Sequence, residues 1–368
     1  MSVVERLWLK DFRNYREQAV TFDAGMNVLC GENAHGKTNL IEAVCTLADG
    51  RSPRAGKLGE LVRFGEDWAH VTADIHCSDG PGADLRVGVS IPLAGRRKLF
   101  SGTRPGDGAE PALSPVTSMR EWTGRLPVVL FSPEELQLVK GAAALRRKFL
   151  DAALCRLYPA YWQALARYNK LYAHKARILR DGDTQPGLFA ALPDFNRALA
   201  EAGEVLTARR AGYIEELAPV AAGLHAEMSG GRETLTLSYK TDTPPGRLLE
   251  HLEARAAAER AARMCLVGPH RDDLLVALGD GPVRQYGSQG QARTAALSLK
   301  LAERELCRTV LGRTPVLLLD DVLSELDPNR RDFVLHRISG GQTLLTCCEE
   351  VAAAGKRFKV KDGTVREG

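Results

Sequence analysis

Two distant stretches hold residues with the types and spacing of a phosphate-handling centre. Gly31, Gly36, Lys37 and Thr38 stand in GENAHGKTNL with the spacing G-x-x-x-x-G-K-[ST]. Glycines at both ends let the backbone curl so that successive N–H groups point inward at phosphate oxygens, at the positive end of the next helix. Lys37 is then placed to reach the beta and gamma phosphates, and the Thr38 hydroxyl to hold Mg2+. Far downstream, PVLLLDD ends in Asp320 and Asp321. A buried strand would deliver Asp320 to the Mg2+ shell, with Asp321 beside it to orient or deprotonate an attacking water.

Both groups need rigid elements behind them. Met26-Asn27-Val28-Leu29-Cys30 reads as a short buried strand running into the loop, with a helix expected after it. LWLKDF, AVTF, NVLC, AHVTADIHC and DLRVGVSI are strand-like, as is Pro127-Val128-Val129-Leu130-Phe131, and together they fit one mixed sheet in an α/β fold. The polar stretch from Ser101 to Pro115 reads as an exposed loop.

After Lys140 the period changes. Tyr161, Leu165, Tyr168, Tyr172, Ala176 and Leu179 recur at helical steps, and Leu206, Tyr213, Leu217, Val220 and Leu224 keep to one face. Long helices folded back on each other are expected, with the tyrosines as core. Strand text returns with LLVAL and again with PVLLL, so the helical stretch reads as an insertion in one domain. The organisation expected is an N-terminal part over 1–143, an inserted all-α arm over 144–264 and a C-terminal part over 265–368.

Composition narrows the classes. A chain of 368 residues, 44% apolar and 26% charged, is long enough for more than one core. A formal charge of +4 permits a polyanion partner without requiring one. The eight cysteines show no C-x-x-C and no zinc-finger spacing, which suits thiols in a reducing compartment. MSVVERLWLKDF lacks the basic start and apolar stretch of a signal peptide, and no run is long enough to span a membrane, so a cytoplasmic protein is expected.

A further stretch carries anion-binding potential. Gly287-Ser288-Gln289-Gly290-Gln291 precedes a long helical pattern, so Ser288 and the first backbone N–H groups offer a second anion site. It resembles the LSGGQ signature of ATP-binding-cassette ATPases, which contacts the gamma phosphate held by the other subunit. Ser324-Glu325-Leu326-Asp327 looks like the D-loop of the same superfamily.

The likeness narrows further. LKDFRNY, GENAHGKTNLIEAV, FSPEELQLVKG with LRRKFLDAAL, GPHRDDL, YGSQGQ and LLLDDVLSELD occur in the order found in the RecF family of SMC-like DNA repair ATPases. That resemblance implies an ABC/SMC-type P-loop head with an inserted helical arm, and ATP with Mg2+ as ligands. It implies nucleotide contacts from Arg13, Gly31, Glu32, Asn33, Ala34, His35, Gly36, Lys37, Thr38 and Asn39, and from Ser288, Gly290 and Gln291 of a second copy. Thr38 and Asp320 would hold the metal, and Lys37 and Asp321 would act in catalysis.

The implied function is an ATP-dependent homodimer that clamps double-stranded or gapped DNA, including single-strand to double-strand junctions, and helps load recombinase with RecR and RecO. Arg96, Arg97, Lys98, Arg146 and Arg147 are candidate phosphate contacts.

Departures from the pattern point to slow turnover. Asp321 stands where most cassette ATPases have glutamate, and the switch histidine is missing near Cys347. His35 replaces a glutamine common in the family loop, a change expected to be harmless because that position contributes mainly backbone. FSPEEL has no glutamine at the usual Q-loop place, leaving Ser132, Glu134 and Gln137 as alternatives for sensing the metal. The rival reading, a transporter nucleotide-binding subunit, would call for that switch histidine and a short helical region docking to a membrane partner.

Overall fold

The computed structural model describes residues 1–77, 84–105, 109–182, 186–338, 340–348 and 355–368. The elements begin with β1 (Ser2–Phe12), β2 (Tyr15–Thr21), β3 (Met26–Cys30), α1 (Lys37–Asp49), β4 (Trp68–Cys77), β5 (Leu85–Pro92), β6 (Lys98–Thr103) and β7 (Ser114–Val116). They continue with α2 (Met119–Trp122), β8 (Val128–Phe131), α3 (Leu136–Lys140), α4 (Ala143–Leu157), α5 (Pro159–Asp181), α6 (Leu192–Ser229), β9 (Leu235–Lys240), α7 (Leu248–Ala254) and α8 (Ala256–Ala262). The last are β10 (Asp273–Leu278), β11 (Gly281–Pro282), α9 (Val283–Tyr286), α10 (Gln289–Leu311), β12 (Val316–Leu319), α11 (Pro328–Arg337), β13 (Thr343–Cys347), β14 (Lys356–Lys361) and β15 (Thr364–Glu367). Two compact units result, Met1–Glu135 with Lys300–Gly368, and Leu136–Leu299.

In the first unit the single mixed sheet expected from the sequence is two sheets. One is antiparallel in the order β2-β1-β4-β5-β6-β7, and the other runs β15-β14-β3-β13-β12-β8 with parallel pairing everywhere except at β15. The reason is the two kinds of strand text. β1 alternates, burying Leu7, Leu9 and Phe12 and exposing Lys10, as a sheet with one wet face requires. All four residues of β12 are buried, as in a parallel strand covered on both faces.

Helix α1 fills the same core as both sheets. Leu40, Ile41, Val44 and Leu47 join Leu7 and Leu9 of the antiparallel sheet and Val316, Leu318 and Leu344 of the parallel one. Each such side chain contributes about 1.5–3 kcal/mol by burial. Trp122, 1% exposed, also ties in, its indole N–H donating to the Leu47 carbonyl at 2.9 Å. The helix that begins at the phosphate loop therefore has little freedom to shift.

In the second unit α5 and α6 run in opposite directions, so that Arg167 meets Glu201 and Arg210 meets Tyr161. The tyrosines at helical spacing are core, Tyr161 at 0% and Tyr168 at 4% exposure. The insertion is not purely helical, however. β9 lies inside the stretch read as all-α and pairs with β10, whose other neighbour is β11. LLVAL thus belongs to a separate three-stranded sheet within residues 136–299, and only PVLLL rejoins the first unit's parallel sheet. Apolar periodicity marks a strand but not its partners.

A buried polar network sits among these helices. Arg210, 3% exposed, donates to Asp151 at 2.7 Å, to the Tyr161 hydroxyl at 2.9 Å and to the Pro269 carbonyl at 2.7 Å. Removing Arg210 leaves the Asp151 carboxylate, 23% exposed, without its ion-pair partner and the Pro269 carbonyl without its donor, which costs about 1–3 kcal/mol. Arg210→Met is accordingly expected to lower the stability of this unit by that amount, read as a lower urea midpoint with an unchanged slope. Arg146 is withdrawn as a phosphate contact. It is 3% exposed and grips Asp273 through two bonds of 2.7 and 2.8 Å. Arg147 donates to the Asp272 carbonyl, whereas Arg96 and Lys98 are exposed.

Candidate nucleotide-binding site

β3 ends at Cys30, and the chain then curls through Gly31–Gly36 into α1. Gly36 caps the helix at φ 114°, a left-handed value that a side chain resists. A Cβ there would lie 2.7 Å from the Asn14 amide, and one on Gly31 would lie 2.2 Å from the Val360 carbonyl. The turn between β1 and β2 clamps the loop from outside. Asn14 donates to the His35 carbonyl at 3.0 Å, and Tyr15 to the Gly36 carbonyl at 2.9 Å. The side chain of His35 also contributes, accepting from the Asp362 N–H at 3.0 Å and so tying the loop to the β14–β15 turn.

Lys37 is folded back on its own loop. Its Nζ donates to the carbonyls of Gly31 at 2.5 Å and Glu32 at 2.8 Å, leaving the amine 3.6 Å from Cys348 Sγ. Thr38 Oγ1 donates to Asp320 Oδ1 at 3.0 Å. That bond joins residues 282 positions apart, because β3 and β12 both flank β13 and end on the same side. Thr346 on β13 completes the arrangement, donating to Asp320 at 2.7 Å and accepting from the Asp321 N–H at 2.8 Å.

Burial raises the Asp320 carboxyl above the usual carboxylate range, against bonds from Thr346 and Thr38 that lower it. Arg54 lowers it further by charge, and Glu134 raises it. Asp321 has φ 51° and accepts from the Ser324 hydroxyl at 3.1 Å. Arg13 and Ala34 are likewise left-handed, at φ 52° and 66°. Such backbone is costly and collects where geometry is functional.

Arg13 is engaged within the head. Its guanidinium grips Glu42 of α1 with bonds of 2.9 and 2.8 Å and donates to the Glu60 carbonyl. Burial would push the Glu42 carboxyl up, but hydrogen bonds from Arg13, Ser52 and Arg54 bring it below its ordinary value. Arg13, Asn14, Asn39, Arg54, Glu60 and Val62 line an open groove beside the first turn of α1. Sequence reasoning missed Asn14, Tyr15, Arg54 and Thr346. Asn14 and Tyr15 stood in the LKDFRNY block beside Arg13, but nothing in their types announces a clamp.

In the other unit, Ser288 and Gln291 form a capping box at the start of α10. The Gln291 N–H donates to Ser288 Oγ at 3.2 Å, and the Ser288 N–H to Gln291 Oε1 at 2.8 Å. Gln291 also donates to Glu233 at 3.0 Å, and Ser288 itself is exposed.

The donor set fits a nucleotide with its metal: a glycine-cornered loop at a helix start, an amine, and a hydroxyl facing a buried carboxylate. Comparison with known proteins agrees. A family model described as an AAA domain matches residues 6–79. The DNA replication and repair protein RecF of Agathobacter rectalis is 36% identical over 360 residues, spanning 97% of this chain and 95% of the relative. The chain belongs to the RecF family.

RecF of Thermosynechococcus vestitus is 39% identical over 354 residues, 93% of this chain and 90% of its own. A solved structure of the recombination mediator protein RecF-ATP in the RecFOR pathway superposes with a TM-score of 0.89 at 30% identity, covering 100% of this chain and 98% of that one. The Smc head domain of Pyrococcus furiosus shares the fold, with a TM-score of 0.58 at 16% identity, 100% of this chain and 96% of that one being covered. The fold is thus of the ABC/SMC type, and RecF membership carries a role in DNA replication and repair. The transporter reading is not favoured. No described helix is long and apolar enough to cross a membrane.

Proposed function

We propose that the chain binds ATP with Mg2+ at the phosphate loop, pairs with a second copy across the nucleotide, and in that state clamps gapped or junction DNA in recombinational repair. The observation that carries the reading is the Thr38–Asp320 bond of 3.0 Å, which brings loop and acidic strand to one point. The RecF-ATP likeness over the whole chain supports the choice of nucleotide. RecR and RecO are the partners that the family suggests, and the cytoplasm is the compartment.

In this reading Lys37 leaves the carbonyls of Gly31 and Glu32 to meet the beta and gamma phosphates. Thr38 and Asp320 hold Mg2+, which when bound neutralises phosphate charge. Asp321 orients the attacking water, and a side chain one methylene shorter than glutamate makes turnover slow. Ser288, Gly290 and Gln291 of the second copy close over the gamma phosphate, so hydrolysis removes the bridge between copies. Arg96 and Lys98 are the exposed members of the proposed phosphate contacts.

Asp320 carries a test of its own. With its carboxyl raised by burial, the ionised form opposes folding, a cost absent below the ordinary carboxylate range and complete above the raised value. At pH 7 to 8, Asp320→Asn is expected to raise the Tm of the nucleotide-free protein while weakening Mg2+-dependent ATP binding. The function itself is tested by fluorescence anisotropy on a gapped duplex at one salt concentration, without nucleotide, with ADP and with ATP. Tight binding with ATP alone is expected. Isotherms that ignore the nucleotide would overturn the clamp.

A further inference from the structure

Two thiols face each other at the mouth of the phosphate loop. Cys30 is the last residue of β3 and Cys347 the last of β13, and the two are register partners in the parallel ladder. Their sulfurs are 3.1 Å apart. We propose that Cys30 and Cys347 form an oxidation site, at which a peroxide converts the pair to a disulfide that distorts the loop and weakens nucleotide binding. The effect on nucleotide rests on the ATP reading above.

The geometry suits the bond. Neighbouring strands lie about 4.8 Å apart, inside the range of roughly 4.4–6.8 Å between Cα atoms that a disulfide spans. Cys30 is half-buried and reachable by a small oxidant, whereas Cys347 is buried. The Cys30 thiolate attacks the peroxide O–O bond, giving a sulfenic acid and releasing water or an alcohol. The Cys347 sulfur then displaces the sulfenic hydroxyl as water. Two thiols lose two electrons and two protons in all, and the peroxide takes up both. Burial pushes the Cys347 thiol up, which leaves Cys30 as the attacking sulfur in the first step.

The consequences follow from the neighbours. To bond, the sulfurs must close by about 1 Å. The Gly31 N–H, next in chain to Cys30, donates to the Cys347 carbonyl, and the Gly31 carbonyl holds Lys37. Thr346, before Cys347, holds Asp320 and the Asp321 N–H. One covalent bond therefore pulls on the phosphate loop and the acidic strand end together. Exposed Cys348 is the control, with Sγ 3.0 Å from Asn33 Oδ1 and 3.6 Å from Lys37 Nζ.

The test treats reduced full-length protein with hydrogen peroxide, then maps linked peptides by mass spectrometry, in a Cys348→Ser background so that the linkage has one assignment. Affinity for a fluorescent ATP analogue is read before and after oxidation. A Cys30–Cys347 peptide is expected, with affinity at least tenfold weaker and restored by dithiothreitol. Cys30→Ser and Cys347→Ser proteins should each show the same affinity before and after peroxide. Absence of the linked peptide, linkage without loss of affinity, or sensitivity that persists in Cys30→Ser and vanishes in Cys348→Ser would each overturn the proposal. A reduced protein that fails to bind the analogue sinks the ATP reading alone, because the linked peptide is scored without nucleotide.

Discussion

The Lys37→Met protein is expected to bind ATP at least a hundredfold more weakly than the wild type and to remain monomeric with ATP present. A protonated amine bridging two phosphates makes charge-assisted bonds worth about 1.5–3 kcal/mol each, and their joint loss corresponds to roughly two to four decades of affinity. Methionine keeps most of the apolar stem at the first position of α1. The nucleotide-free fold loses the bonds from Nζ to the Gly31 and Glu32 carbonyls and its contact with Cys348 Sγ, and its Tm should fall by a few degrees. Titration calorimetry with light scattering reads both quantities. An affinity within tenfold of wild type would mean that the loop does not serve ATP.

Ser288→Arg separates the two halves of the proposed sandwich. Its direct structural cost is the capping box with Gln291, about 1 kcal/mol at the start of α10. ATP binding by the single chain should stay within about threefold of wild type, a difference below 1 kcal/mol. The ATP-dependent dimer should disappear, because the added bulk sits where the partner's phosphate must approach. Equal losses of binding and dimerisation would place the phosphate contact of Ser288 within one chain.

How much of the site could be read from sequence depended on how local the signal was. Gly31, Gly36, Lys37 and Thr38 were legible because one turn of backbone makes the cradle, and its spacing is written in consecutive residues. Asp320 was legible because a four-residue apolar strand leads straight into it. Arg54 was not, since an arginine in a polar loop looks the same whether solvated or, as here, shared between Asn39 and Glu42. Arg146 misled for the same reason. A run of basic residues reads as a wet face until Asp273, more than a hundred positions on, is seen beneath it. The second unit's sheet was hidden because β9 and β10 are ordinary strands whose pairing depends on register in three dimensions.

By itself, then, the sequence determined the local pieces: a phosphate-loop pattern, an acidic strand end, a helix-start serine and a helical hairpin, each encoded by local propensity and period. Only the tertiary structure decided which groups meet. It alone put Thr346 between Asp320 and Asp321, set Cys30 against Cys347, and locked Arg13 onto Glu42. Those contacts join residues far apart in the chain, and their distances are set by strand order and register, for which local residue types carry no code.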